Sequence, residues 1–260
     1  MRKTVTLFAL LAVAAVALTA AGTAGASRHA AKATAFSYCD DPTFPPMEST
    51  TTAGKPVGFD IDMATALATQ MGGTASFVHT AFTGLLPALG AKKCDVVISG
   101  IFVTPDRTKQ FPAVPYMHSH RALLVAGGNP KHITSVAGLK GMHVAVQTGT
   151  KYEDFLKSQQ KALGFTLQSY PGDTDAIAQI LLGRADAVLT QDTEGAYQMQ
   201  QHPGKIAIGY LFPESDTFGI YYRKGDAIGP KLETALKALK ANGTMAKLAA
   251  KYHIPASDVT

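Results

Sequence analysis

Twice along this chain, short runs of strand-forming residues alternate with segments of helical periodicity, and no other feature restricts the fold as much. In the first set, residues 35–39, 75–79 and 95–99 read as strands. Between them lie an amphipathic segment with Ile61, Ala64, Leu67, Ala68 and Met71 on one face and a short helix over 85–89. Asp60 is expected to cap the first of these helices and Gly72-Gly73 to end it. In the second set, strands over 143–147, 165–170, 185–190 and 206–211 alternate with helices over 151–163, 173–182 and 193–201. Such alternation predicts an α/β protein with mostly parallel sheets flanked by helices, and ligands in such sheets sit beyond the carboxyl ends of the strands. Extended segments over 121–126 and 218–222 join the two units, and helices over 230–241 and 244–252 complete the chain. The expected architecture is two lobes, 33–122 with 219–260 and 123–218, connected by a hinge of two crossings.

The chain is long enough for a substantial core, with 46% hydrophobic residues in 260. Residues 1–26 read as a secretory signal: Arg2 and Lys3 precede an apolar run over 5–18, and Ala24-Gly25-Ala26 offers small residues for cleavage near Ala26. An uncleaved anchor is the competing reading, but the exit from the run lacks basic residues, and no cysteine follows it for lipid attachment. Removing the segment lowers the formal charge from +5 to +3, and no basic run of five accompanies it, so no nucleic-acid partner is expected. Export permits a disulfide between Cys39 and Cys94. If they end and begin neighbouring parallel strands they lie at different heights, so two buried free thiols are expected.

Candidate binding residues cluster at the predicted strand ends. After the run Val96-Val97-Ile98, the turn Ser99-Gly100-Ile101-Phe102-Val103 leads to Thr104 as N-cap and Pro105 in the first helical position, which places Arg107 in the first turn. Positive charge opposes the macrodipole there, so Arg107 is either a tolerated surface arginine or an anion clamp. Thr150-Lys151-Tyr152-Glu153 fits a capping box, which by itself starts a helix but also presents backbone N–H groups beyond a strand end. Asp41 and the pair Gln191-Asp192 could face a cation, and Phe44 and Phe82 could stack on an apolar ligand body or belong to the core. The eight histidines show no metal spacing, and no nucleophile elbow, phosphate loop or dinucleotide fingerprint appears, so neither cofactor nor metal is expected.

Seven stretches in order resemble the periplasmic solute-binding proteins of polar amino-acid ABC importers, family 3: DPTFPPM from Asp41, VGFDID from Val57, FTGLLPAL from Phe82, CDVVISGIFVTPDR from Cys94, VAVQTGTKYEDF from Val144, ADAVL from Ala185 and NGTMAK from Asn242. The resemblance implies a type II periplasmic-binding fold, non-catalytic, that closes on one free L-amino acid and hands it to an inner-membrane permease, working as a monomer in the periplasm. It implies that Arg107 binds the α-carboxylate with backbone N–H groups around Ser99 to Phe102 and Thr150 to Lys151. It also implies that Phe44 and Phe82 sandwich the ligand, that Asp41 lies near its side chain, and that the Gly100 carbonyl and a second-lobe acid hold the ammonium. Three positions depart from the family pattern. Phe102 replaces a hydroxyl residue, Lys151 a threonine, and Gln191 stands where the ammonium-binding aspartate is usual, with Asp192 one step later. A cyclohexadienyl or arogenate dehydratase on the same fold, with Glu48, Glu153 or Glu194 as acid, and a sensory binding protein are the alternatives.

Overall fold

The protein is described here from a computed structural model covering residues 34–259; the expected secretion signal at 1–26 lies outside the described residues. Strand β1 (Thr34–Asp40) is followed by three short strands, β2 (Thr43–Phe44), β3 (Glu48–Thr50) and β4 (Pro56–Val57), which form a small separate sheet. Helix α1 (Phe59–Gln70), β5 (Gly73–His79), α2 (Leu85–Gly90), β6 (Val96–Val97) and the one-turn α3 (Pro105–Thr108) come next. After the long strand β7 (Ala113–Ala126) the chain continues through β8 (His143–Gln147), α4 (Lys151–Leu163), β9 (Thr166–Tyr170), α5 (Asp173–Leu181), β10 (Ala187–Gln191), α6 (Asp192–Gln201) and the long β11 (Ile206–Tyr222), and ends with α7 (Ile228–Ala241) and α8 (Thr244–Lys251).

The main strands form one mixed sheet of eight in the order β5-β1-β6-β11-β7-β10-β8-β9, where two sheets were expected. The reason lies in β7 and β11. At 14 and 17 residues they pair antiparallel along most of their length, so β11 carries one group of strands through β6 at one end of the ladder and β7 carries the other group through β10 at the other end. The segments 121–126, 206–211 and 218–222 are therefore parts of these two strands. The β7/β11 pairing breaks register between Leu211 and Ser215, which leaves Phe212, Pro213 and Glu214 bulged opposite Arg121.

Alternation along each strand supplies both faces with core. On β1, Phe36 and Tyr38 meet Met63, Ala64, Leu67 and Ala68 of α1, whereas Cys39 points to Leu85 and Leu89 of α2. Each large side chain fully buried in this way contributes about 1.5–3 kcal/mol. On β8, Val144 and Val146 share the larger core with Leu156 of α4, and Ala145 packs with Ile177 and Ile180 of α5.

Two local expectations are corrected. Asp60 does not cap α1: Gly58 takes the N-cap position, and the Asp60 side chain is fully buried within the first turn. Cys39 and Cys94 form a disulfide, with Cα atoms 5.7 Å apart. A difference in strand height would separate them only if Cys94 belonged to the ladder, but β6 starts at Val96, and Cys94 lies in the turn before it, in the α2 core beside Cys39. Closing a loop of 55 residues constrains the unfolded chain by about 4 kcal/mol in the chain-entropy picture.

Candidate functional site

The carboxyl ends of β1, β6 and β8 converge on a narrow cleft lined by Phe44, Phe82, Gly100, Phe102, Arg107, Gln147, Thr150, Lys151 and Tyr152. Seven of the eleven residues expected at the site are in this lining. A larger recess, lined by Gln70, Met71, Lys231 and Thr234, contains none of them.

Arg107 is held by its own helix start. Thr104 caps α3 by accepting from the Arg107 N–H at 3.4 Å, and the guanidinium donates to the Phe102 carbonyl at 3.1 Å and lies 5.6 Å from the Phe82 ring centre. Among the described residues no carboxylate pairs with it, and burial lowers its pKa against the attraction of Tyr221, Asp154 and Tyr152. A half-buried cation with only a carbonyl and a ring for company retains donors for an anion.

Across the cleft, α4 begins with Thr150, whose hydroxyl accepts from Glu153 N–H at 3.1 Å and donates to the Gln147 carbonyl at 2.8 Å. Glu153 reaches back to the Gly149 N–H at 2.8 Å, one residue before the capping-box partner. It also accepts from Ser169 at 2.6 Å and pairs with Lys157 at 2.8 Å, and these partners, with burial opposing them, hold its carboxyl below the usual range. Lys151 pairs with Asp154 at 2.8 Å.

The aromatic walls depend on close approach. Gly100 adopts φ +50°, and a Cβ there would collide with the Phe44 ring. Phe102 stacks on Phe218 and meets Tyr152 edge-on, both at 5.2 Å between ring centres, so it closes one side of the cleft. Gly149 approaches Thr83 so closely that a Cβ would strike its methyl group.

Four expected residues lie outside the lining. Ser99 is buried behind it, where its hydroxyl accepts from the Asp41 N–H at 2.9 Å and donates to Glu48 at 2.6 Å. The Asp41 carboxylate, 3% exposed, accepts from Thr43 Oγ1 at 3.0 Å, Phe82 N–H at 3.1 Å and Gln147 Nε2 at 2.7 Å. Burial raises its pKa despite these bonds. Gln191 and Asp192 both accept from Ser119 Oγ, at 3.1 and 2.7 Å, and Asp192 also takes the Thr193 N–H at 2.8 Å. Gln191 is fully buried and its Nε2 meets no acceptor.

Sequence reasoning missed two lining residues, Gln147 and Tyr152. Gln147 is the last residue of β8, and the strand-end rule that pointed to Ser99 also applies to it. Tyr152 belongs to the segment read as a capping box with N–H groups beyond a strand end, in which only Thr150 and Lys151 are singled out. Behind the site lies a group that no pattern signalled: Asp60 accepts from the Gly100 N–H at 2.9 Å and Tyr116 Oη at 2.8 Å, next to Glu48. The Gly100 N–H is thus committed inside the protein. Burial first, then the neighbouring Asp60, raises the Glu48 carboxyl well above its usual range, and burial lifts Asp60 to about 7 against its bonds to Gly100 and Tyr116. Glu48 Oε2 and Asp60 Oδ1 meet no donor among the described residues. Glu48 and Glu194 are fully buried, and neither they nor Glu153 line the cleft.

A cleft at the strand ends of an α/β sheet, walled by aromatics and supplied with an unpaired cation and a helix start, defines a protein that holds a small anionic or zwitterionic molecule. The chain belongs to the bacterial extracellular solute-binding proteins, family 3, whose sequence model matches residues 37–255. It is 32% identical over 232 residues to the putative ABC transporter arginine-binding protein 2 of Escherichia coli strain K12, covering 87% of this chain and 94% of that protein. It is 29% identical over 222 residues to the histidine-binding periplasmic protein of Salmonella typhimurium, covering 82% of this chain and 85% of that one. Its fold matches the structure of an ancestral arginine-binding protein bound to arginine with a TM-score of 0.80 at 33% identity, covering 84% of this chain and 97% of that one. All three are named as amino-acid-binding proteins.

Proposed function

We propose that this protein captures one free L-amino acid outside the cytoplasmic membrane and delivers it to an ABC-type import permease. The observation that carries the reading is Arg107, a half-buried guanidinium at the cleft with no carboxylate partner among the described residues. A zwitterion in a closed cleft is costly unless both charges meet partners. Arg107 and the N–H groups at the start of α4 receive the carboxylate, in charge-assisted and bidentate geometry. The ammonium is held by the Gly100 carbonyl and the Gln191-Asp192 corner, and Phe44 and Phe82 enclose the body of the ligand. Asp41 acts from behind Gln147.

Two lobes, 33–122 with 219–260 and 123–218, close on the ligand. The strand order supports this division, since β5, β1 and β6 flank one side of the β7/β11 pair and β10, β8 and β9 the other. The bulge at Phe212, Pro213 and Glu214 marks the hinge, where Arg121 holds Asp216 through two bonds of 2.6 and 2.9 Å. The setting is periplasmic, a reading supported by the periplasmic relative and by the secretion signal read at 1–26, cleaved near Ala26, and the protein works as a monomer.

Calorimetry on Arg107→Ala tests the assignment. Loss of amino-acid binding by at least about 100-fold is expected for removal of a charge-assisted pair worth several kcal/mol. Wild-type affinity in the variant would refute it.

A further inference from the structure

We propose that the cleft selects amino acids whose side chain carries no positive charge, in contrast to the arginine and histidine named for relatives. This rests on the reading that the cleft binds a free amino acid. The charged groups lining it are Arg107 and Lys151, both cationic, and no acidic side chain joins them. Each acid near the cleft is engaged elsewhere. Asp154 holds Lys151 at 2.8 Å. Asp192 takes Ser119 Oγ and the Thr193 N–H of its own helix, and the acceptor capacity it keeps is the part assigned above to the α-ammonium. Asp41, the acid best placed to meet a cationic side chain, already receives three protein donors and lies behind Gln147, which lines the cleft in its place.

Gln147 also sets what the cleft offers instead. Its Nε2 is committed to Asp41 at 2.7 Å and to the Pro171 carbonyl at 3.3 Å, so its remaining polar atom is the neutral acceptor Oε1. An amide or hydroxyl on a ligand can use such an acceptor. A guanidinium or second ammonium would meet one neutral oxygen in exchange for its hydration, and no unengaged carboxylate in the lining. Around it, Phe44, Phe82, Phe102 and Tyr152 supply apolar surface and rings, but no counter-charge. A ligand's own carboxylate neutralises Arg107 only once. The zwitterion of a neutral amino acid balances its charges, whereas arginine or lysine brings a second cation that finds no free carboxylate, and an unpaired charge taken partly out of water implies about 100-fold weaker binding.

The test is calorimetry on the purified protein with arginine, lysine, glutamine, glutamate, leucine and phenylalanine. At least one of the last four should bind about 100-fold more tightly than either cationic amino acid. In Gln147→Glu, which places an acid in the lining, the gap should narrow by about 10-fold or more through gained arginine or lysine affinity. Arginine or lysine binding as tightly as the best of the others in the wild-type protein would overturn the selectivity while leaving the amino-acid reading intact. Absence of binding by all six, with Arg107→Ala indistinguishable from wild type in thermal stability with and without them, would remove both.

Discussion

The two walls of the cleft face the same small volume with different equipment. One is a single helical turn, α3, capped by a 3.4 Å bond from Arg107 N–H to Thr104, and its contribution is the full charge of a guanidinium without a carboxylate partner among the described residues. The other is α4, thirteen residues long, whose start is fixed by Thr150, Glu153, Gly149 and Ser169 and whose Lys151 is already paired with Asp154. The short helix cannot offer much of a dipole, and the long one presents oriented N–H groups with its side-chain charges satisfied. The first wall supplies charge and the second supplies geometry. The support behind them differs too: Gly100 on the first wall is tied to a buried carboxyl pair, whereas the second rests on a conventional cap.

That contrast can be broken or sharpened by experiment. The largest effect is expected from the carboxyls behind the first wall. Asp60 titrates at about 7 in the folded protein because burial raises it, above the ordinary 3.8, so its protonated form belongs to the fold. Its contribution is full below the ordinary value and is lost as pH rises through about 7, with a slope of up to about 1.4 kcal/mol for each step of one in pH. Asp40, lifted to about 6 by burial against His79, and Asp173, lifted to about 7 by burial, act in the same sense. The melting temperature should therefore be higher near pH 5 than near pH 8, and Asp60→Asn should remove part of that difference by stabilising the protein at the higher pH. A pH profile unchanged in the variant would mean that the pair is not titrating behind Gly100. A smaller effect is expected at the caps. Thr150→Ala should cost about 1 kcal/mol in denaturant unfolding, and Thr104→Ala distinctly less, because its bond is longer and its helix is one turn. Equal losses would erase the distinction between the walls.

Much of this arrangement is legible in the residues. Periodicity locates the helices within a few positions, and the strand-end rule brings Gly100, Arg107 and Thr150 to one place. What stays hidden depends on tertiary pairing. The long strands β7 and β11 read as separate pieces, because a bulge at Phe212 to Glu214 and the polar run around His118 and His120 interrupt the alternation that marks a strand. The Cys39–Cys94 bridge depends on where β6 begins, which local pattern does not decide. Asp60 reads as a cap because an aspartate at a helix start usually is one; only the folded chain brings Gly100 and Tyr116 to its carboxylate. Phe102 stands out in the sequence as a departure that reshapes the pocket, and it does line the cleft, against Tyr152, which no pattern singles out.

The central claim is that Arg107 anchors the ligand's carboxylate, and a crystal structure of the protein with its tightest-binding amino acid tests it most directly. The expected result is both carboxylate oxygens within about 3 Å of the Arg107 guanidinium nitrogens, between the turn at Gly100 and the start of α4. A ligand whose carboxylate lies away from Arg107, with the guanidinium still bound only to the Phe102 carbonyl, would contradict it.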